Sequence, residues 1–75
     1  MKNLPMDLLR AFVTVIQFKS FTKAGELLGR SQPAVSLQIS RLEQLLDETL
    51  LIREGKNMEL SNSGEQFYDY ANQIL

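Results

Sequence analysis

The stretch Arg30–Leu42, RSQPAVSLQISRL, decides the fold. It begins where one helical pattern stops. Gly29 and Arg30 interrupt the preceding apolar periodicity, and Ser31 is a good N-cap for a new helix. Pro33 then falls in the first turn, where its missing N–H costs nothing and its fixed φ suits a helix. Val35, Ile39, Leu42, Leu45 and Leu46 follow on one face at helical spacing, which predicts a helix from Gln32 to Leu46 or Asp47. Gln32, Ser36, Leu37, Gln38, Ser40 and Arg41 take the other positions and are expected to look outward. That outer face holds Gln, Ser and Arg and no carboxylate before Glu43. It suits a polyanion with hydrogen-bonding edges, although an ordinary solvated amphipathic helix has the same pattern.

On the N-terminal side, Leu4 to Phe18 predicts a first helix with Pro5 at its start and Asp7 suited to the helix dipole. Its stripe is Leu8, Leu9, Phe12, Val13 and Ile16. Lys19-Ser20-Phe21 is the connection, and Thr22 is the expected N-cap of a short helix, Lys23 to Leu28, with Ala24, Leu27 and Leu28 inward. Gly29 is its expected C-terminal breaker. Gly29-Arg30-Ser31 then joins two helices at the spacing of a helix-turn-helix. On the C-terminal side, Thr49–Arg53 and Asn57–Leu60 flank Glu54-Gly55-Lys56 and predict a two-stranded hairpin. Ser61 or Asn62 caps a last helix from Ser63 onward, with Phe67, Tyr70, Ala71 and Ile74 as its apolar stripe and Tyr68 and Leu75 beside it. No Gly, Asn or Pro ends that helix, so the chain is expected to continue beyond Leu75 in a longer protein.

Composition narrows the function. Seventy-five residues suit one domain, and 44% hydrophobic with 23% charged residues is ordinary globular composition. The start lacks a signal peptide's sustained apolar core, and the apolar run Phe12–Phe18 is too short to span a bilayer. The chain has no Cys and no His, which removes thiolate nucleophiles, His-based acid–base catalysis and the usual zinc sites. Asp47-Glu48 reads as a solvated charge pair, Gly25 and Gly29 lack the strand and Gly-Lys-Ser/Thr of a phosphate loop, and the serines read as caps and hydrogen-bonding surface. No enzyme, metal or cofactor is expected in these residues. A formal net charge of −1 speaks against binding nucleic acid through bulk charge. The distribution is uneven, however: Arg30 to Leu42 carries two arginines and no acid, while Glu43, Asp47, Glu48, Glu65 and Asp69 lie elsewhere.

These residues match a known pattern. SFTKAGELLGRSQPAVSLQISRLEQLL, followed by LLIR and LSNSGEQF, resembles the N-terminal winged helix-turn-helix of LysR-type bacterial transcriptional regulators, over nearly the whole chain. The resemblance implies a mainly α fold of three helices and a hairpin wing over residues 1–60. It implies that residues 61–75 begin a linker helix that pairs with its twin in a homodimer, with a tetramer open to the full-length protein. A separate domain, absent from these residues, would bind a small-molecule effector, and the whole would work in the cytoplasm on double-stranded DNA.

The resemblance also places roles. The helix from Gln32 enters the major groove, with Gln32, Ser36 and Gln38 at bases or groove walls, since Gln bonds an adenine edge bidentately and Ser either kind of edge. Pro33 and Ala34 meet thymine methyl groups. Arg30, Ser31, Ser40 and Arg41 face phosphates, with Arg53 and Lys56 on the wing. Thr22 has capping or phosphate binding open to it, and Arg30 is equally a solvated turn residue. Phe67, Tyr70, Ala71 and Ile74 serve dimerisation, or core packing in a monomer. Three positions depart from the family pattern. Leu37 stands where many members have Arg, which exchanges a phosphate or guanine contact for methyls that can meet a thymine. Asp47 replaces the glycine that usually ends the recognition helix, and Leu51 replaces the usual Phe of the wing's first strand. A protein-interaction module on the same fold is the second reading, and an enzyme a remote third.

Overall fold

The computed structural model describes residues 4–55 and 57–75. Helix α1 (Met6–Phe18) starts two residues later than its apolar spacing predicts. Pro5 takes the N-cap position, and its carbonyl accepts the N–H groups of Leu8 and Leu9 at 3.1 and 3.3 Å. Lys19 caps the end of α1 in the left-handed conformation at φ 50°, so only Lys19 and Ser20 lie between α1 and α2 (Phe21–Leu28). The cap of α2 is therefore Ser20 and not Thr22: its backbone is extended, and its Oγ accepts the N–H of Lys23 at 3.0 Å. Phe21 becomes the first helical residue. Gly29 closes α2 at φ 69°, and the N–H of Arg30 bonds the Gly25 carbonyl at 2.8 Å. This left-handed exit is one that glycine adopts freely.

Ser31 caps α3 (Gln32–Leu46) as expected, its Oγ accepting the N–H of Ala34 at 3.2 Å. Val35, Ile39 and Leu42 are fully buried. Two expectations about inward residues fail: Leu45 is 59% exposed and Leu27 55% exposed. On α2 the buried residues are Ala24 and Gly25. Strands β1 (Leu51–Glu54) and β2 (Asn57–Leu60) pair antiparallel, Leu51 opposite Leu60 and Arg53 opposite Met58. Because side chains alternate along a strand, Leu51, Arg53, Met58 and Leu60 share the inward face. Leu51 is buried there, which makes its departure from the family pattern a packing change. Ile52 and Glu59 pair on the outer face.

Ser61, and not Asn62, caps α4 (Asn62–Ile74), accepting the N–H of Gly64 at 2.9 Å while its own hydroxyl donates to the Thr49 carbonyl. Phe12 is the hub of the core. It is fully buried and meets Phe67 and Tyr68 of α4 with ring centroids 5.7 and 6.2 Å apart. Three helices, a hairpin wing and a fourth helix laid back on α1 form the winged helix-turn-helix that the sequence predicts. Among the described residues no helix is long and apolar enough to cross a membrane, and no group of three or more His, Cys, Asp or Glu is placed to hold a metal ion.

Candidate nucleic-acid interface

The site is built on α3, whose dry side is pinned to α1 and α2 by Val35, Ile39 and Leu42. At 100° per residue, the position opposite that apolar arc belongs to Pro33, Leu37 and Ser40. All three are exposed, Leu37 at 51%, and Gln32 and Arg41 flank them in solvent. Ala34 and Ser36 are half-buried at the edges of the face. Ala34 (i−3) and Pro33 (i−4) lie next to Leu37 on the helix surface, so an apolar ridge runs down the middle of a polar face. Ser31 and Arg30 are exposed at the helix tip.

Gln38 corrects the sequence reading. It is only 7% exposed, and its Nε2 reaches toward Oδ2 of Asp7 on α1 at 3.5 Å, while its buried Oε1 has no partner among the described residues. The cause is positional: Gln38 is three residues after Val35 and four before Leu42, inside the buried arc. A residue held against α1 does not present its amide to a base, so Gln38 leaves the set of reading residues. Arg41 stands on the same side, lining with Asp7, Leu8 and Leu45 an open groove between α1 and α3. Thr22 is exposed on the first turn of α2, freed from capping by Ser20.

The wing contributes Arg53. Although Arg53 sits on the inward face of β1, its side chain remains exposed, and its Cζ lies 4.0 Å from the centroid of the Phe21 ring. The sequence reading treated Phe21 as mere connection. Strand alternation held the missing signal, since it aims Arg53 at the body of the domain. Lys56, expected at the wing tip, lies outside the described residues.

Acidic Glu43 is also used internally. Its Oε2 accepts the N–H groups of Leu50 and Leu51 at 2.8 and 3.2 Å, tying the end of α3 to the start of the wing. Of the four residues expected to meet a partner helix, Phe67 and Ala71 are buried against α1 in the same chain. Only Tyr70 and Ile74 stay exposed, at 42% and 40%.

A helix with an accessible polar face, set behind a tight turn and flanked by a hairpin, defines the class: a winged helix-turn-helix protein. Residues 6–65 match the family described as bacterial regulatory helix-turn-helix protein, lysR family, and the chain belongs to that family. It is 47% identical over 73 residues to the HTH-type transcriptional regulator PecT of Dickeya dadantii (strain 3937), covering 97% of this chain and 23% of that protein. It is 36% identical over 74 residues to the regulator DgdR of Burkholderia cepacia, covering 99% of this chain and 25% of that one. The chain thus spans about a quarter of the length of these curated relatives. Among solved structures, the BenM_DBD/benA site 1 DNA complex superposes with a TM-score of 0.89 at 38% identity, over 95% of this chain and 80% of that one. The CbnR_DBD–DNA complex does so at 0.88 and 30% identity, over 95% and 82%.

Proposed function

We propose that this chain is the DNA-binding part of a transcriptional regulator, reading double-stranded DNA with α3 in the major groove and the hairpin on the flanking backbone. The observation that carries this reading is the outer face of α3. It bears hydrogen-bonding Gln32, Ser36 and Ser40 around an apolar ridge, with no carboxylate from Gln32 to Leu42. The first acid, Glu43, is bonded to the wing backbone. DNA complexes of the BenM and CbnR proteins of the same fold support the reading. Residues 1–60 form the reading unit. Residues 61–75 begin a linker helix whose exposed Tyr70 and Ile74 meet a second copy, so that two recognition helices address half-sites one helical turn or a multiple apart. A small-molecule effector would bind a domain outside these residues, and the work of the whole protein is regulatory, not catalytic, in the cytoplasm.

The deciding experiment incubates the chain with random-sequence duplex DNA at two salt concentrations and sequences the retained fraction. An enriched motif with dyad symmetry is expected. It should be lost for the Gln32→Ala, Ser36→Ala double variant while its thermal unfolding stays that of the parent. No retention at either salt overturns the assignment in favour of a protein-interaction module. Unaltered selection by the folded double variant overturns the choice of reading residues.

A further inference from the structure

Arg53 and Phe21 are 32 positions apart in sequence, in the wing and at the start of the helix-turn-helix, yet the guanidinium Cζ lies over the ring, 4.0 Å from its centroid. We infer that Phe21 is a positioning residue for DNA-backbone binding: its ring holds the Arg53 guanidinium ready to clasp a phosphate beside the recognition helix. The inference rests on the DNA-binding reading above and adds to it a residue that touches no DNA.

Three physical points lead there. A free arginine side chain has many rotamers, and much of that freedom is lost when a phosphate fixes it. A stack formed during folding removes part of that loss from the binding step. Stacking also occupies only the flat faces of the guanidinium, leaving its N–H donors in the plane, where a bidentate phosphate contact needs them. Finally, Thr22 and Lys23 are exposed on the first turn of α2 next to Phe21, so the held cation lies beside a polar and cationic surface with no acid before Glu26. An aliphatic side chain at position 21 fills similar space but offers no ring face to the cation.

The test compares Phe21→Leu, Phe21→Tyr, Arg53→Ala and the Phe21→Leu, Arg53→Ala double variant on the duplex enriched in the selection above. Affinity is measured by fluorescence anisotropy over a salt series. Phe21→Leu should weaken binding about two- to fivefold, the worth of an exposed cation–π contact, with the salt slope kept. Phe21→Tyr should restore it, because the ring face remains. Arg53→Ala should lower the salt slope by about one, and adding Phe21→Leu to it should cost nothing more. Side-chain NMR of the free proteins provides the companion measurement: the Arg53 Cδ protons should carry a ring-current shift that Phe21→Leu abolishes and Phe21→Tyr keeps. Equal losses from Phe21→Leu with and without Arg53 would show a purely structural ring and overturn the inference alone, as would full affinity in Phe21→Leu. Failure of the parent chain to bind any duplex overturns the DNA-binding reading and this inference with it.

Discussion

The carboxylate of Glu43, near the end of α3, accepts the backbone N–H of Leu50 at 2.8 Å, and Leu50 is almost fully buried. The same oxygen takes the N–H of Leu51 at 3.2 Å. A half-buried acid that formal charge counts against DNA binding is thus the joint between recognition helix and wing. Glu43→Ala leaves two donors without an acceptor where water is poorly admitted. Leaving one such group unmade costs about 1–3 kcal/mol. Urea unfolding should show Glu43→Ala destabilised by about 2–3 kcal/mol, with Glu43→Gln less affected because its amide oxygen still accepts. An unchanged midpoint for Glu43→Ala would mean that the joint does not hold the wing.

Gly64 is the second point where wing and body are locked. A Cβ built on Gly64 stands 2.2 Å from the Leu50 carbonyl oxygen and 3.1 Å from Leu60 Cδ2. Backbone on one side cannot yield as a flexible side chain can. Gly64→Ala must therefore push α4 away from the Leu50 strand end, and overpacking of this kind costs about 1–3 kcal/mol or more. Gly29→Ala has open space around it, and its penalty is conformational only, about 1 kcal/mol from φ 69°. Thermal unfolding should rank Gly64→Ala below Gly29→Ala. The reverse order would contradict the close approach of α4 to the wing.

Asp47 occupies the exit of α3 at φ 54°, in the left-handed region, with its N–H bonded to the Gln44 carbonyl at 3.2 Å. Asp47 keeps the left-handed exit geometry that glycine would give, but holds it under strain. Relief of that strain by Asp47→Gly gains about 1–2 kcal/mol, and removing an acid from a helix C-terminus adds to it. The extra freedom of glycine in the unfolded chain takes back about 0.4–1 kcal/mol. The balance is about 0.3–2.6 kcal/mol of stabilisation, or a Tm higher by several degrees for a domain of this size. Calorimetry decides the matter, and a lower Tm would show that Asp47 is held by something other than its backbone.

What could be read in the sequence was what local chemistry settles. Ser31, Gly29 and Ser61 mark helix ends because caps depend on a few neighbouring residues, and the hairpin followed from the turn around Gly55. Thr22 was misread because the left-handed Lys19 shortens the connection, and nothing in a lysine announces that conformation. Gln38 was misread by residue type although its spacing from Val35 and Leu42 already put it in the buried arc. Leu45 and Leu27 were misread in the opposite sense, as apolar residues assigned to an interior that a domain this small does not extend to cover. The Arg53–Phe21 stack and the Glu43 joint were invisible for a different reason: each joins segments whose proximity only the folded topology creates.

Leu37 gives the sharpest prediction about sequence preference. Its side chain is 51% exposed in the middle of the outer face, with Pro33 and Ala34 one turn before it and Ser40 and Arg41 one turn after. In the major groove the apolar group that a standard base presents to such a side chain is the thymine methyl. A duplex enriched by this chain should therefore carry a thymine facing Leu37. Replacing that single thymine with deoxyuridine removes one methyl group and leaves every hydrogen-bonding atom in place. Burial of a methyl-sized group is worth about 0.8 kcal/mol, so binding should fall roughly fourfold on the uridine duplex. Leu37→Ala should bind thymine and uridine duplexes nearly alike, because the apolar surface that senses the methyl is gone. Leu37→Arg should behave differently again, raising the salt slope by about one through a new phosphate contact or moving the preferred base to guanine. If the parent chain treats thymine and uridine equally at every position of the site, Leu37 faces the groove without reading it, and the specificity must come from Gln32 and Ser36.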